Sequence, residues 1–132
     1  MNKFMKLLIF GSRDINKEQC YLEIDKFVNK YKPDFLLTAA EPIGACATVI
    51  EFAKDRAIPI ILFFIDKSKN AGMYHHRSVT ATKECDFALF LYNGESKGTA
   101  NEISVCKKLN KPYEIIQMQK KPIGVSCAPR WN

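Results

Sequence analysis

The sequence has no apolar run near the roughly 18 residues needed to span a bilayer; its most apolar segment, 59–65, is only strand-sized. The opening Met1-Asn2-Lys3-Phe4-Met5-Lys6 precedes four apolar residues, Leu7-Leu8-Ile9-Phe10. A signal peptide needs about 7–15 there, so export is not expected and a cytoplasmic location is. Paired cysteines are missing too. The five, Cys20, Cys46, Cys85, Cys106 and Cys127, are odd in number, with no C-x-x-C and no histidine at ligand spacing. A disulfide framework or structural zinc site is therefore not expected, and reduced thiols are. Cys46 and Cys106 fall in helical segments, where cysteine serves as a small buried hydrophobe.

Three other patterns are lacking. Aromatics do not interleave with basic residues as a single-strand nucleic-acid platform requires. There is no G-x-G-x-x-G, so a redox dinucleotide is not indicated, and no Walker A ending of the G-K-[ST] type. Repeats and inter-domain linkers are absent as well. No cofactor and no metal are called for.

What is present is an ordinary globular composition: 132 residues, 47% hydrophobic and 26% charged, enough for one core. The net charge of +6 comes from scattered lysines and favours anionic ligands without naming one. Short apolar runs alternate with amphipathic ones. Strands are expected at 7–10, 35–37, 59–65, 86–92 and 113–116. The third, the most apolar, reads as a buried parallel strand. Helices are expected at 17–30, 44–56, 75–83 and 99–109, the first with Asn16 and Gln19 at capping spacing. This alternation implies a Rossmann-like three-layer α/β fold: a five-stranded parallel sheet with helices on both faces. Residues 1–117 make the domain, and 118–132 form a tail without periodicity.

In such a sheet ligands bind outside the carboxyl ends of the strands. Four loops then share one edge: 11–14, 38–44, 66–77 and 93–99. The strongest candidate is Asn93-Gly94-Glu95-Ser96-Lys97-Gly98-Thr99, where two glycines and a helix start suit an anion, above all phosphate. The spacing of Thr99 and Glu102 is also that of a capping box, which would merely start a helix. Gly11-Ser12-Arg13-Asp14 can approach a ligand closely, with Ser12 and Arg13 as donors, or can be a tight turn with an exposed arginine. Arg77 can clamp an anion through its planar fork; a solvated basic helix start is the alternative. His75 and His76 point about 100° apart and make a poor metal pair. Glu41 and Asp66 read as lone carboxylates, solvated or paired with lysines.

These segments, with Gly44-Ala45 opening the second helix and Ala71-Gly72 running to His76-Arg77, resemble the SLOG superfamily. That Rossmann-like group includes LOG-type nucleoside-monophosphate phosphoribohydrolases and DprA-like proteins, and its small stand-alone YspA- or YpsA-related members are the most similar. The resemblance spans residues 7–116. It implies a nucleotide-type ligand held by Gly11, Ser12, Arg13, Gly44, Gly72, Asn93, Gly94, Ser96, Gly98 and Thr99. It further implies cleavage of an N-glycosidic bond by Arg77 and Glu102, and pairing into a homodimer. Two features depart: the loop lacks the Pro-Gly-Gly run and has an extra Ser96-Lys97 stretch, and Cys46 stands where many relatives have an acid. A nucleotide sensor without turnover is the alternative these departures suggest. A DprA-like nucleic-acid binder has only charge and superfamily in its favour.

Overall fold

The computed structural model describes residues 4–120. Five strands, β1 (Lys6–Gly11), β2 (Phe35–Ala39), β3 (Ile60–Phe63), β4 (Phe87–Tyr92) and β5 (Tyr113–Gln117), alternate with four helices. These are α1 (Lys17–Tyr31), α2 (Gly44–Arg56), α3 (Met73–Glu84), entered through a 3₁₀ stretch Lys67–Gly72, and α4 (Lys97–Lys108). All strand pairs are parallel, in the order β3-β2-β1-β4-β5. The chain winds outward from β1 on one side and then returns to the other. The switch point therefore falls between β1 and β4.

Side-chain alternation along the strands divides the interior into two layers. Leu7, Ile9, Leu36, Leu89 and Leu91 face α1 and α2, meeting Ile24, Phe27, Val49 and Phe52. Leu8, Phe10, Leu37, Ala88 and Phe90 face α3 and α4, meeting Ala81, Ile103 and Cys106. The expected three-layer architecture is present. Leu7 to Phe10 are wholly buried, because β1 is central and covered on both faces. Segment 59–65, expected to be the buried strand, is instead an edge strand. Ile60 to Phe63 are all half-buried and Phe64 is 69% exposed, since the reversal of direction leaves β3 with a single neighbour.

Local signals account for most boundaries. Asn16 caps α1, its side chain accepting the Gln19 N–H at 2.9 Å. Cys20, Cys46, Cys85 and Cys106 are free and buried; Cys127 lies outside the described residues. Met118 is buried against the α1 and α2 layer, and its N–H bonds the Tyr92 carbonyl at 2.7 Å. Among the described residues no helix is long and apolar enough to cross a membrane.

Two glycines fix the edge where β1 ends. A Cβ on Gly11 would lie 2.4 Å from that of Ala45 and 2.7 Å from the Leu91 carbonyl oxygen. Only glycine lets α2 start so close to β1 and β4. Gly44 has φ +79°, and a Cβ there would meet Arg13 Cα at 2.4 Å. Together they draw the loops after β1 and β2 against each other.

Candidate functional site

The carboxyl ends of β1, β2 and β4 surround a cavity of about 430 Å³, at the switch point and within the size range of small-molecule sites. Its lining includes Gly11, Arg13, Arg77, Asn93, Ser96, Gly98 and Glu102, all expected from sequence to serve a ligand. Gly44 borders a neighbouring depression that shares Arg13 and Ile43 with the cavity wall. Ser12, Gly72, Gly94 and Thr99 line neither.

Ser12 and Thr99 are sealed inside, with 1% exposure each. Their hydroxyls are 3.3 Å apart, and Ser12 Oγ accepts the Asn93 N–H at 3.1 Å. Asn93 Oδ1 accepts the Glu95 and Ser96 N–H groups at 2.9 and 3.0 Å, while its Nδ2 donates to the Asp14 carbonyl at 3.0 Å. These bonds join the loops after β1 and β4, so their glycines and N–H groups are set before any ligand arrives.

Helix α4 begins at Lys97 and its cap is Ser96, whose Oγ accepts the Thr99 N–H at 3.3 Å. The capping box that the spacing of Thr99 and Glu102 also allows is therefore not formed. Thr99 is already inside the first turn, and Glu102 lies too far along the helix to reach back to its cap. The Glu102 carboxyl turns to the cavity instead. Gly98 is exposed at its mouth, and a Cβ there would meet nothing nearer than Ser96 Oγ at 3.9 Å.

Inside the cavity two arginines share one carboxylate. Arg13 donates to Glu41 Oε1 through Nε at 2.8 Å and Nη2 at 2.7 Å. Arg77 donates from Nη2 to Glu41 Oε2 at 2.9 Å. Arg77 is 7% exposed and the Glu41 side chain 10%, so this pair is shielded from water, whereas Arg13 is exposed. Glu41 was expected to be solvated or paired with lysines. The sheet places it just past β2, where the loop after β1 brings Arg13 and α3 brings Arg77. Its signal in the sequence was position alone, on a loop at the ligand-binding edge.

Glu102 Oε1 and Arg77 Nε are buried without a hydrogen-bond partner. Burial raises the Glu102 carboxyl to about 8; Arg77 opposes this, Glu41 adds to it and Arg13 opposes it more weakly. Burial thus favours the neutral acid near pH 7, a form with a proton to donate. Cys46 lines the same cavity, but burial, reinforced by Glu102, raises its thiol to about 11. It is no nucleophile at neutral pH. Tyr74 and Ile43, 47% and 56% exposed, supply apolar surface at the rim. Sequence patterns gave neither, because a lone exposed aromatic or aliphatic side chain carries no spacing. His75 and His76 are exposed on α3 outside the cavity. Among the described residues no group of three or more His, Cys, Asp or Glu side chains could hold a metal.

No protein-family profile matches the chain, and no curated protein matches it.

Proposed function

We propose that this protein binds a nucleotide or nucleotide-derived ligand in the switch-point cavity and hydrolyses its N-glycosidic bond. The observation that carries the reading is the Glu102 carboxyl, which faces the cavity one helical turn inside the start of α4 with its Oε1 buried and unpartnered and its neutral form favoured by burial. Buried polar groups without partners are rare and call for an explanation, and a ligand supplies one. The phosphate would sit at the N-terminus of α4, where Ser96 takes the Thr99 N–H and leaves those of Lys97 and Gly98 to face an oxyanion. The ribose then lies beside Glu102 and the base against Tyr74 and Ile43.

In this reading water adds to C1′ as the bond from C1′ to the base nitrogen breaks. Glu102 gives its proton to the departing nitrogen, and its carboxylate takes one back from the water. Arg77 offsets negative charge on the ligand and on that carboxylate. The products are a ribose phosphate and a free base. The test is incubation with nucleoside mono-, di- and triphosphates, NAD and ADP-ribose, with free base followed by mass spectrometry. Base release is expected. Intact nucleotides throughout would remove the hydrolase reading for that panel.

Two observations favour a second reading, in which the ligand is sensed and not turned over. Glu41 already pairs with both arginines, and Cys46 stands where many SLOG proteins carry an acid. Ligand-dependent thermal stabilisation without product would select it. A homodimer belongs to either reading and has support from the resemblance alone.

Gly98→Val tests the placement of the phosphate. The position is uncrowded and valine is the better helix former, so the variant should melt at or slightly above the wild-type temperature. Its isopropyl group fills the cavity mouth, and stabilisation by nucleotides should vanish. A full ligand-induced shift in this variant would move the phosphate elsewhere.

A further inference from the structure

Glu41 forms the wall of the cavity beside the switch point, and its two oxygens are not equally engaged. Oε1 accepts both Arg13 bonds, while Oε2 accepts only the one from Arg77. A carboxylate offers about four acceptor sites. Three donors leave one of them open, on Oε2, the oxygen tied to the buried arginine. Guanidinium groups on two sides already hold the carboxylate still, so a ligand that uses it has little left to order. A phosphate is repelled from this point by like charge, and a hydroxyl donor is attracted to it. Glu41 and Glu102 line the same cavity, so a ribose beside Glu102 has its hydroxyls near this acceptor.

We propose that Glu41 Oε2 accepts the ribose 2′-hydroxyl of the bound nucleotide, which makes the site selective for ribonucleotides over 2′-deoxyribonucleotides. The inference rests on the nucleotide reading above and adds to it the sugar class and a specificity-determining residue. Arg77 and Arg13 act through Glu41 by holding its carboxylate in place. A deoxy ligand leaves the shielded acceptor without its donor. The lost bond is charge-assisted, so discrimination of about tenfold or more is expected.

The experiment measures binding of AMP, GMP, CMP and UMP, and of their 2′-deoxy and 2′-O-methyl forms, to the full-length protein and to Glu41→Gln. Where base is released, the same ratios are read in kcat/KM. The wild type should favour the ribo form by about tenfold or more. The 2′-O-methyl form, which keeps the oxygen but cannot donate, should bind no better than the deoxy form. In Glu41→Gln, whose amide oxygen can form only a weaker, uncharged bond, the ratio should fall, whatever happens to absolute affinity. Equal ribo and deoxy binding by the wild type overturns the assignment of Glu41 and leaves the nucleotide reading standing. So does 2′-O-methyl binding as tight as ribo, or a ratio unchanged in Glu41→Gln. Failure of every one of these nucleotides to bind overturns the nucleotide reading and this inference with it.

Discussion

Replacing Glu102 by glutamine should stabilise the free protein at neutral pH and abolish base release. The two effects have one origin. Burial raises this carboxyl to about 8 from an ordinary value of 4.5. Between those values the folded protein keeps a proton that the unfolded chain has released. Stability from this group is therefore complete below about pH 4.5, falls as pH rises and levels off above about 8. The loss is about 1.4 kcal/mol per pH unit across that window, on the order of 5 kcal/mol in all. Glutamine matches the shape, does not titrate and has no such slope. The melting temperatures of variant and wild type should nearly coincide at pH 5 and separate by on the order of 10 °C by pH 8. Thermal melts from pH 5 to pH 8.5 measure this directly. Parallel curves would mean that the carboxyl is solvated and not sealed. The activity arm follows from the missing proton: an amide cannot deliver one to a leaving nitrogen. In the wild type, base release should decline as pH passes about 8 and Glu102 ionises. A residue that costs the fold this much is one a stability-optimised core would replace, which is why its presence on a cavity wall points to use.

The sequence was informative where one residue type sits in one periodic environment. Leu7 to Phe10 and Ala88 to Leu91 are apolar at every position because both faces of β1 and β4 are covered, and such runs read directly as parallel strands. Asn16 and Gln19 announced a helix start that is there. The order of the strands was not legible in the same way. Segment 59–65 is more apolar than β1, yet it lies at the edge, because position in a sheet follows connectivity and not hydropathy. At the site, topology carried the inference further than motif. The rule that ligands meet the carboxyl ends of strands gathered Gly11, Arg13, Arg77, Asn93, Ser96 and Gly98 into what is one cavity. Residue type alone missed Glu41, whose role depends on two arginines that lie 28 and 36 positions away in the chain. It also assigned Ser12 and Thr99 to a ligand, although the structure has their hydroxyls facing each other. A small polar side chain beside a glycine looks the same in sequence whether it contacts a phosphate or ties two loops together.

Arg77→Ala should be the most damaging single change, lowering stability by about 3–5 kcal/mol as well as removing nucleotide-induced stabilisation. Arg77 is 7% exposed, and its partner Glu41 remains shielded when the guanidinium is gone. Arg13 still holds Glu41 from the outer side, which limits the loss but does not replace the inner charge. Glu102 feels the change as well. Arg77 is the strongest influence opposing its upward shift, so its ionisation should move to still higher pH in the variant. Urea unfolding at pH 6 and pH 8 measures both effects, and a loss below about 1 kcal/mol would show that solvent reaches the pair. The paired replacement Arg77→Met with Glu41→Leu separates the reasons for keeping these charges. Two apolar side chains of similar size leave no unpaired charge, and burial of an ion pair gains little over burial of hydrocarbon. The double variant should therefore recover most of the stability lost in Arg77→Ala while binding no nucleotide. If it is as unstable as the single variant, the ion pair is itself a structural support of the loops after β1 and β2. If it is stable and inert, the charges at the switch point serve the ligand, and the fold would stand without them.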